Sequence, residues 1–422
     1  MCHAVVMVAL TDHEIGWLWR YHEAMSAESR TTSPLSRRET LRYSRHLSLP
    51  EVGVAGQARL KAARVACVGA GGLGAPVALY LAAAGVGRIG LIDHDDVDES
   101  NLQRQVLYRT GDVGKSKLEA ARRELLGLNP EIQVETHAVR LSAENALDVL
   151  RDYDIVVDGA DNFPTRYLVS DACVLLGKPE VWAAIYRWEG QISVFDAARG
   201  PCYRCLFPTM PEEGAVPNCA EGGVLGVLPG VIGTLQATEV VKLILGLGDP
   251  LVGRLMQFDA LGGSFETLHL AKDPDCPACA PGATLDLRNE AAACAVPPEG
   301  AGGTETGDSE TGDSEDDGWT VSVGRLASRL KADDAPVLVD CRQPYEWDIC
   351  HLDQSILLPM SEIPGRVREL DPAADTVVLC HHGQRSLRVV HFLRNAGFAS
   401  VRSLEGGIDA WSREIDPTLA RY

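Results

Sequence analysis

Four cysteines stand in two matching spacings, Cys202-Tyr-Arg-Cys205 and Cys276-Pro-Ala-Cys279. One such pair serves redox chemistry as readily as metal binding. Two pairs, with no histidine beside them, supply the four thiolates of a single tetrahedral, structural Zn²⁺. About 70 residues lie between the pairs, too many for a compact DNA-binding ribbon. The metal is therefore expected to clamp the end of a sheet to the returning chain, adding on the order of 10 kcal/mol to folding. A second group of residues handles phosphate. Gly69, Gly71 and Gly74 keep the G-x-G-x-x-G spacing, with Gly72 inside it. Gly69 permits a tight turn, Gly71 lets phosphate approach the backbone, and Gly74 brings helix close to strand. The helix start then offers free N–H groups to an anion. Asp93, about 20 residues on, sits where a carboxylate holds ribose hydroxyls. Asn101 and Arg104 follow in Asn-Leu-Gln-Arg-Gln, and Lys117 opens the next helix. A hydride-transfer enzyme has no need of these cations, whereas an enzyme that cleaves the phosphate chain of ATP does. A third group centres on Cys380, followed by His-His-Gly-Gln and Arg385. A cysteine at the end of a strand and before a helix meets N–H donors and the helix dipole. Arg385, with His381 and His382 when protonated, adds positive charge, which depresses a thiol pKa.

The elements that must position these residues follow an α/β alternation. Strands are expected at Val65–Val68, Ile89–Ile92, Gln133–Ala138 and Tyr153–Val157, with helices after the glycine loop and over Lys117–Leu128. Asp161 and Asn162 follow the last of these strands, at the sheet edge where ligands bind in open α/β folds. Asp161 suits Mg²⁺ or phosphate-chain work there, while either residue also makes a helix N-cap. Ser36 and Glu39 form a capping box for a helix carrying Arg42, Tyr43 and Arg45 and stopping near Pro50. Gly233–Leu247 reads as an apolar core or dimer helix. In the last hundred residues, strands at Val337–Val339 and Thr376–Leu379 end on Asp340-Cys341-Arg342 and on Cys380, and a helix runs from about Ser386 to Asn395.

The glycine loop, Asp93, Asn-Leu-Gln-Arg-Gln and Lys117 together resemble the MoeB/ThiF family of adenylating enzymes, relatives of the ubiquitin activators. The family's D-N-x-x-x-R reappears as Asp161, Asn162 and Arg166. The resemblance implies a Rossmann-like, ubiquitin-activating-type α/β domain that uses ATP and Mg²⁺ to adenylate a carboxyl-terminal glycine. It also implies that Arg45 reaches the ATP phosphates of a partner subunit in a homodimer. Cys219, in the Pro-, Gly- and Glu-rich segment Pro208–Gly226, takes the place of the family's reactive cysteine on a loop crossing the active site. The end of the chain resembles a rhodanese domain, a smaller α/β unit. Four residues separate Cys380 from Arg385, a tighter ring than the five of cysteine phosphatases, which suits a persulfide. The family's H-x-P-G-A is altered to His351-Leu-Asp-Gln-Ser355.

Composition sets the frame. With 39 basic and 59 acidic residues, the formal net charge of −20 argues against nucleic-acid or anionic-membrane surfaces. No apolar run is expected to reach the roughly 18 residues of a membrane span, and twelve cysteines without a convincing signal sequence point to a reducing, cytoplasmic setting. Residues 1–33 read as an extension, 34–280 as the adenylation domain and 319–422 as the rhodanese domain. Between them, 281–318 form an acidic linker with seven carboxylates from Glu305 to Asp317. As a coil it spans roughly 30–37 Å.

Such a fusion resembles the MoeB-rhodanese sulfur-carrier activators. That implies adenylation of the final glycine of a small ubiquitin-like carrier ending in Gly-Gly, then sulfur transfer from a Cys380 persulfide to give a thiocarboxylate. Arg45, Arg104 and Lys117 would neutralise phosphate charge, Asp161 would hold Mg²⁺, and Asp93 and Asn101 would place the nucleotide. Cys219 would take the acyl group or resolve the resulting disulfide. The persulfide donor would be a cysteine desulfurase or thiosulfate. Molybdopterin, thiamine, cysteine and thiolated-tRNA pathways all use such carriers. Two other readings compete: an NAD-dependent oxidoreductase, which leaves Arg104, Lys117 and Cys380 unused, and a non-catalytic zinc-stabilised nucleotide-binding scaffold.

Overall fold

The computed structural model describes residues 34–211, 223–287, 318–332 and 335–422. Cys219, residues 1–33 and most of the acidic stretch lie outside them. The chain divides into two compact units, Met1–Glu299 and Gly300–Tyr422.

The first unit is built on an eight-stranded sheet in the order β3-β2-β1-β4-β5-β6-β7-β8, with β1 Arg64–Val68, β2 Arg88–Asp93, β3 Gln133–Ala138, β4 Ile155–Asp158, β5 Glu180–Tyr186, β6 Glu189–Phe195, β7 Arg254–Asp259 and β8 Ser264–His269. The pairings from β3 through β5 are parallel and those from β5 to β8 antiparallel. The parallel strands are short apolar runs because helices cover both faces. The chain leaves β1 to one side and returns through β4 on the other, so a crevice opens at the carboxyl ends of β1 and β4.

Tight glycine contacts set the helix positions. A Cβ on Gly74 would lie 1.9 Å from the Gly69 carbonyl oxygen, so only glycine lets the helix Gly74–Ala84 start against the loop. Gly69 itself has φ +84°. The helix Leu228–Leu245 packs on the Gly74–Ala84 helix and on β5 and β6. Its Gln236 donates to the carbonyls of Asp158 and Val181 at 2.9 and 3.0 Å. It begins five residues before the expected Gly233, because Pro229 is tolerated in a first helical turn. At 18 residues it is long and apolar enough to cross a membrane. Half of it is buried against this sheet and it carries Glu239 and Lys242, the character of a core helix.

Two other expectations are corrected. The helix capped by Ser36 and Glu39 is present, and the reciprocal box is complete. It breaks at Tyr43, however, into Arg37–Arg42 and Ser44–Leu47. The Tyr43 ring is buried against Gly85, and its hydroxyl accepts from Asn129 at 2.9 Å, which turns the backbone out of helical geometry. The strand expected from Tyr153 begins only at Ile155. Tyr153 instead turns its buried ring under Gly90 and hydrogen-bonds His137 and Glu135.

The second unit is a five-stranded, all-parallel sheet in the order β11-β10-β12-β13-β9, with β9 Thr320–Val321, β10 Val337–Asp340, β11 Ser355–Leu357, β12 Thr376–Leu379 and β13 Val401–Leu404. The helix after β12 runs Gln384–Asn395, two residues longer at its start than expected.

Candidate active sites and metal centre

A cavity of about 320 Å³ opens at the crevice beside β1 and β4, lined by Gly69, Gly71, Gly72, Asp93, Arg104, Lys117 and Asp161 among others. The loop is held before any ligand arrives. Asp93 accepts from the N–H groups of Ala70, His94 and Asp95 at 2.8–2.9 Å. The buried Tyr108 hydroxyl donates to the Ala70 carbonyl at 2.6 Å. These contacts stiffen the turn that must pass close to phosphate.

Lys117 is buried, and its ammonium sits 2.9 Å from Asp95. Burial works to raise the Asp95 pKa, but the hydrogen bond and charge of Lys117 outweigh it and hold that carboxyl below its ordinary value. Asp95 lines the cavity and was not among the residues singled out above, although it lies two places after Asp93. Arg104 donates to the Ser100 carbonyl at 3.1 Å, which turns its guanidinium along the cavity wall. Asp161 is exposed at the mouth. Asn162 instead caps the helix Phe163–Leu176, accepting from the Thr165 N–H at 2.9 Å. Arg166 is buried with two donors on the Ala160 carbonyl, so it braces the loop between β4 and that helix. Asp158 ends β4 in full burial, which pushes its carboxyl up to about 6. Asn101 and Arg45 do not line the cavity: Asn101 closes a 3-10 turn, and Arg45 is exposed on its short helix.

The four zinc-candidate cysteines converge. Cys202 and Cys276 lie 3.5 Å apart, Cys205 and Cys279 3.5 Å, and Cys202 and Cys205 3.9 Å, sulfur to sulfur. A tetrahedron of Zn–S bonds near 2.3 Å has edges of about 3.8 Å, so this cluster is positioned to bind zinc. It ties the chain after β6 to the chain after β8.

In the second unit Cys380 follows β12 and is almost wholly buried. Its sulfur accepts from the Gly383 N–H at 3.1 Å and from the Ser386 hydroxyl at 3.4 Å. A hydrogen bond from Cys341, those from Ser386 and the charge of Arg385 overcome burial and hold the thiol down to about 5. Cys380 is therefore a thiolate at neutral pH. Arg385 is clasped by both oxygens of Glu346 at 2.7 and 2.8 Å, and the Tyr422 hydroxyl joins Glu346 at 3.1 Å. One expected charge is corrected: burial, then the neighbouring His382, drop His381 to about 4. It is neutral and stacks on Tyr422 at 4.2 Å. Gly406 and Gly407, both at positive φ, bring the helix Gly407–Glu414 against the loop, where the Ile408 and Asp409 N–H groups bond the Cys380 and His381 carbonyls. The helix-start pattern Gln343-Pro-Tyr-Glu346 marks Glu346 as a capping residue but carries no sign of its partnership with Arg385.

Both units match known protein families. Residues 43–278 match the ThiF family and residues 322–414 the rhodanese-like domain. The chain is 46% identical over 396 residues to a protein of Mycobacterium tuberculosis named probable adenylyltransferase/sulfurtransferase MoeZ, covering 92% of this chain and 97% of that one. It is 41% identical to the mouse adenylyltransferase and sulfurtransferase MOCS3, covering 92% and 88%. The sulfur carrier protein adenylyltransferase of Thermus thermophilus is 56% identical over 249 residues, 58% of this chain and 92% of that one. Among solved structures, E. coli MccB with ATP superposes with a TM-score of 0.52 at 25% identity, over 64% of this chain and 82% of that one. The chain belongs to the ThiF family of adenylating enzymes, with a rhodanese domain following its adenylation domain.

Proposed function

We propose that this enzyme adenylates the C-terminal glycine of a small ubiquitin-like sulfur carrier ending in Gly-Gly, and then converts it to a thiocarboxylate with sulfur carried on Cys380. The observation that carries the reading is a sulfur anion cradled at Cys380 on the same chain as a cavity where Arg104 and Lys117 flank the glycine loop. A carboxylate is a poor electrophile. Attack of its oxygen on the α-phosphate of ATP gives an acyl-adenylate and releases pyrophosphate. Arg104 and Lys117 offset the charge that develops on the phosphates, and Lys117 exchanges Asp95 for phosphate as it does so. Asp93, which lines the cavity, orients the nucleotide. Asp161, exposed in the lining of the cavity, would hold Mg²⁺, which would supply neutralisation of phosphate charge. Arg45, exposed and outside the lining of its own cavity, suits a role at the partner's site in a homodimer. Zn²⁺ on Cys202, Cys205, Cys276 and Cys279 is structural.

The terminal sulfur of a Cys380 persulfide then attacks the activated carbonyl and displaces AMP. Thiol exchange, with Cys219 as one candidate, frees the thiocarboxylate. Thiosulfate or a cysteine desulfurase supplies the sulfur, and a reducing cytoplasm keeps both sets of thiols ready. The test incubates the enzyme with ATP, thiosulfate and a Gly-Gly-ending carrier, and reads the carrier by mass spectrometry. The expected product gains one sulfur for one oxygen. Arg104→Ala should slow ATP–pyrophosphate exchange about 10²–10³-fold. Exchange that is absent, or untouched by this variant, refutes the reading.

A further inference from the structure

Cys341 lies between Asp340 and Arg342, which face each other in a fully buried ion pair. Strand alternation sends the Cys341 side chain to the opposite face of the sheet. Asp340 pairs with Leu379 across the parallel β10–β12 ladder, and the Cys341 N–H donates to the Leu379 carbonyl at 3.0 Å. Cys341 and Cys380 thus each follow directly on the last pair of that ladder. With Val339 and Val378 they occupy one buried cluster. Adjacent strands run about 4.8 Å apart, within the Cα separation of about 4.4–6.8 Å that a disulfide spans.

We propose that Cys341 is the resolving thiol of the sulfur-carrying unit, closing a disulfide with Cys380 as the thiocarboxylate leaves. The inference rests on the adenylation and persulfide reading above and adds a residue to it. After the persulfide has attacked the acyl-adenylate, the carrier is joined to Cys380 as an acyl disulfide. The Cys341 sulfur, its proton lost to water, attacks Cys380 Sγ. The bond between Cys380 Sγ and the transferred sulfur breaks, and its electron pair leaves on the carrier as thiocarboxylate. The two cysteines are oxidised to a disulfide and the transferred sulfur is reduced, so electrons balance. An external dithiol then reduces the disulfide for the next cycle.

Two features time the step. In the resting unit the Cys341 S–H donates to the Cys380 thiolate. That hydrogen bond first, then burial, hold the Cys341 thiol well above its ordinary range. Loading Cys380 removes the anion and with it the leading restraint on the Cys341 proton. Leaving-group basicity does the rest: a thiocarboxylate is a weaker base than hydrosulfide, so Cys341 attacks the acyl disulfide faster than the bare persulfide.

The experiment is one turnover of the full chain, persulfidated with thiosulfate, mixed with ATP and a Gly-Gly-ending ubiquitin-like carrier. Carrier mass, pyrophosphate and a non-reducing peptide map are followed together. The wild-type chain should yield linked Cys341–Cys380 peptides in step with thiocarboxylate. Cys341→Ala and Cys341→Ser should release thiocarboxylate at least about tenfold more slowly and accumulate a dithiothreitol-sensitive carrier adduct on Cys380. A wild-type map that joins Cys380 to Cys219 alone, or variants that release product at the wild-type rate, overturns the proposal. Pyrophosphate separates the two failures: its absence in wild type sinks the adenylation reading, whereas its presence with no Cys341 linkage sinks only this one.

Discussion

Acidity at Cys380 is a contest between burial and a set of donors. Moving a thiolate out of water raises its pKa, yet Cys341, the Gly383 N–H, Ser386 and Arg385 all favour the anion. With a pKa near 5, thiolate forms as pH rises through that value and is complete by neutrality. Sulfur uptake from thiosulfate should therefore show a midpoint near pH 5 rather than near the ordinary thiol value. Ser386→Ala should move that midpoint up by about one unit, the worth of one hydrogen bond to a charged group. A stopped-flow pH profile of persulfide formation reads both. Arg385 could be picked out beforehand because it lies five residues from the cysteine. Glu346, 39 residues before Arg385, could not, since only the pairing of β10 with β12 brings their neighbourhoods together.

The glycine loop shows how an element constrains its neighbour. At Gly74 the missing Cβ is what lets the helix begin against the Gly69 carbonyl. Gly74→Ala improves local helix propensity, but it drives a methyl into that oxygen. The expected cost is about 1–3 kcal/mol, seen as a lower melting temperature, together with loss of ATP–pyrophosphate exchange as the cradle shifts. Elements with strong punctuation were legible in full: Lys117–Leu128 stops at Asn129-Pro130, and Gln133–Ala138 and Thr376–Leu379 have the bounds expected of them. Misreadings fall where tertiary packing decides. Tyr43 breaks a helix to bury its ring, and Tyr153 leaves a strand to reach under Gly90. In the same way Asp95 holds Lys117 across 22 residues, a pairing that follows from the loop's path and that no local pattern announces.

At the scale of the molecule, the four cysteines stitch the antiparallel half of the first sheet to the chain that leaves it. Zinc should be found at one ion per chain by metal analysis. Chelation should lower the melting transition of the first unit sharply, because binding energy on the order of 10 kcal/mol is then lost. The second unit has its own sheet and core, so its sulfur uptake from thiosulfate should survive the same treatment. The spacing of the pairs was enough to foresee the cluster, since two C-x-x-C turns leave few other geometries for four thiolates.

The burial of Cys380, at 1% exposure, bears on how the enzyme tells a charged state from an empty one. A bare sulfur at that depth touches almost nothing outside its cradle. On the persulfide reading, the added atom would be at once cargo and extension, one bond further from the buried Cys380 sulfur. On the reading proposed above, an acyl-adenylate presented before sulfur loading would meet a Cys380 sulfur still buried in its cradle, so loading would precede transfer by reach alone.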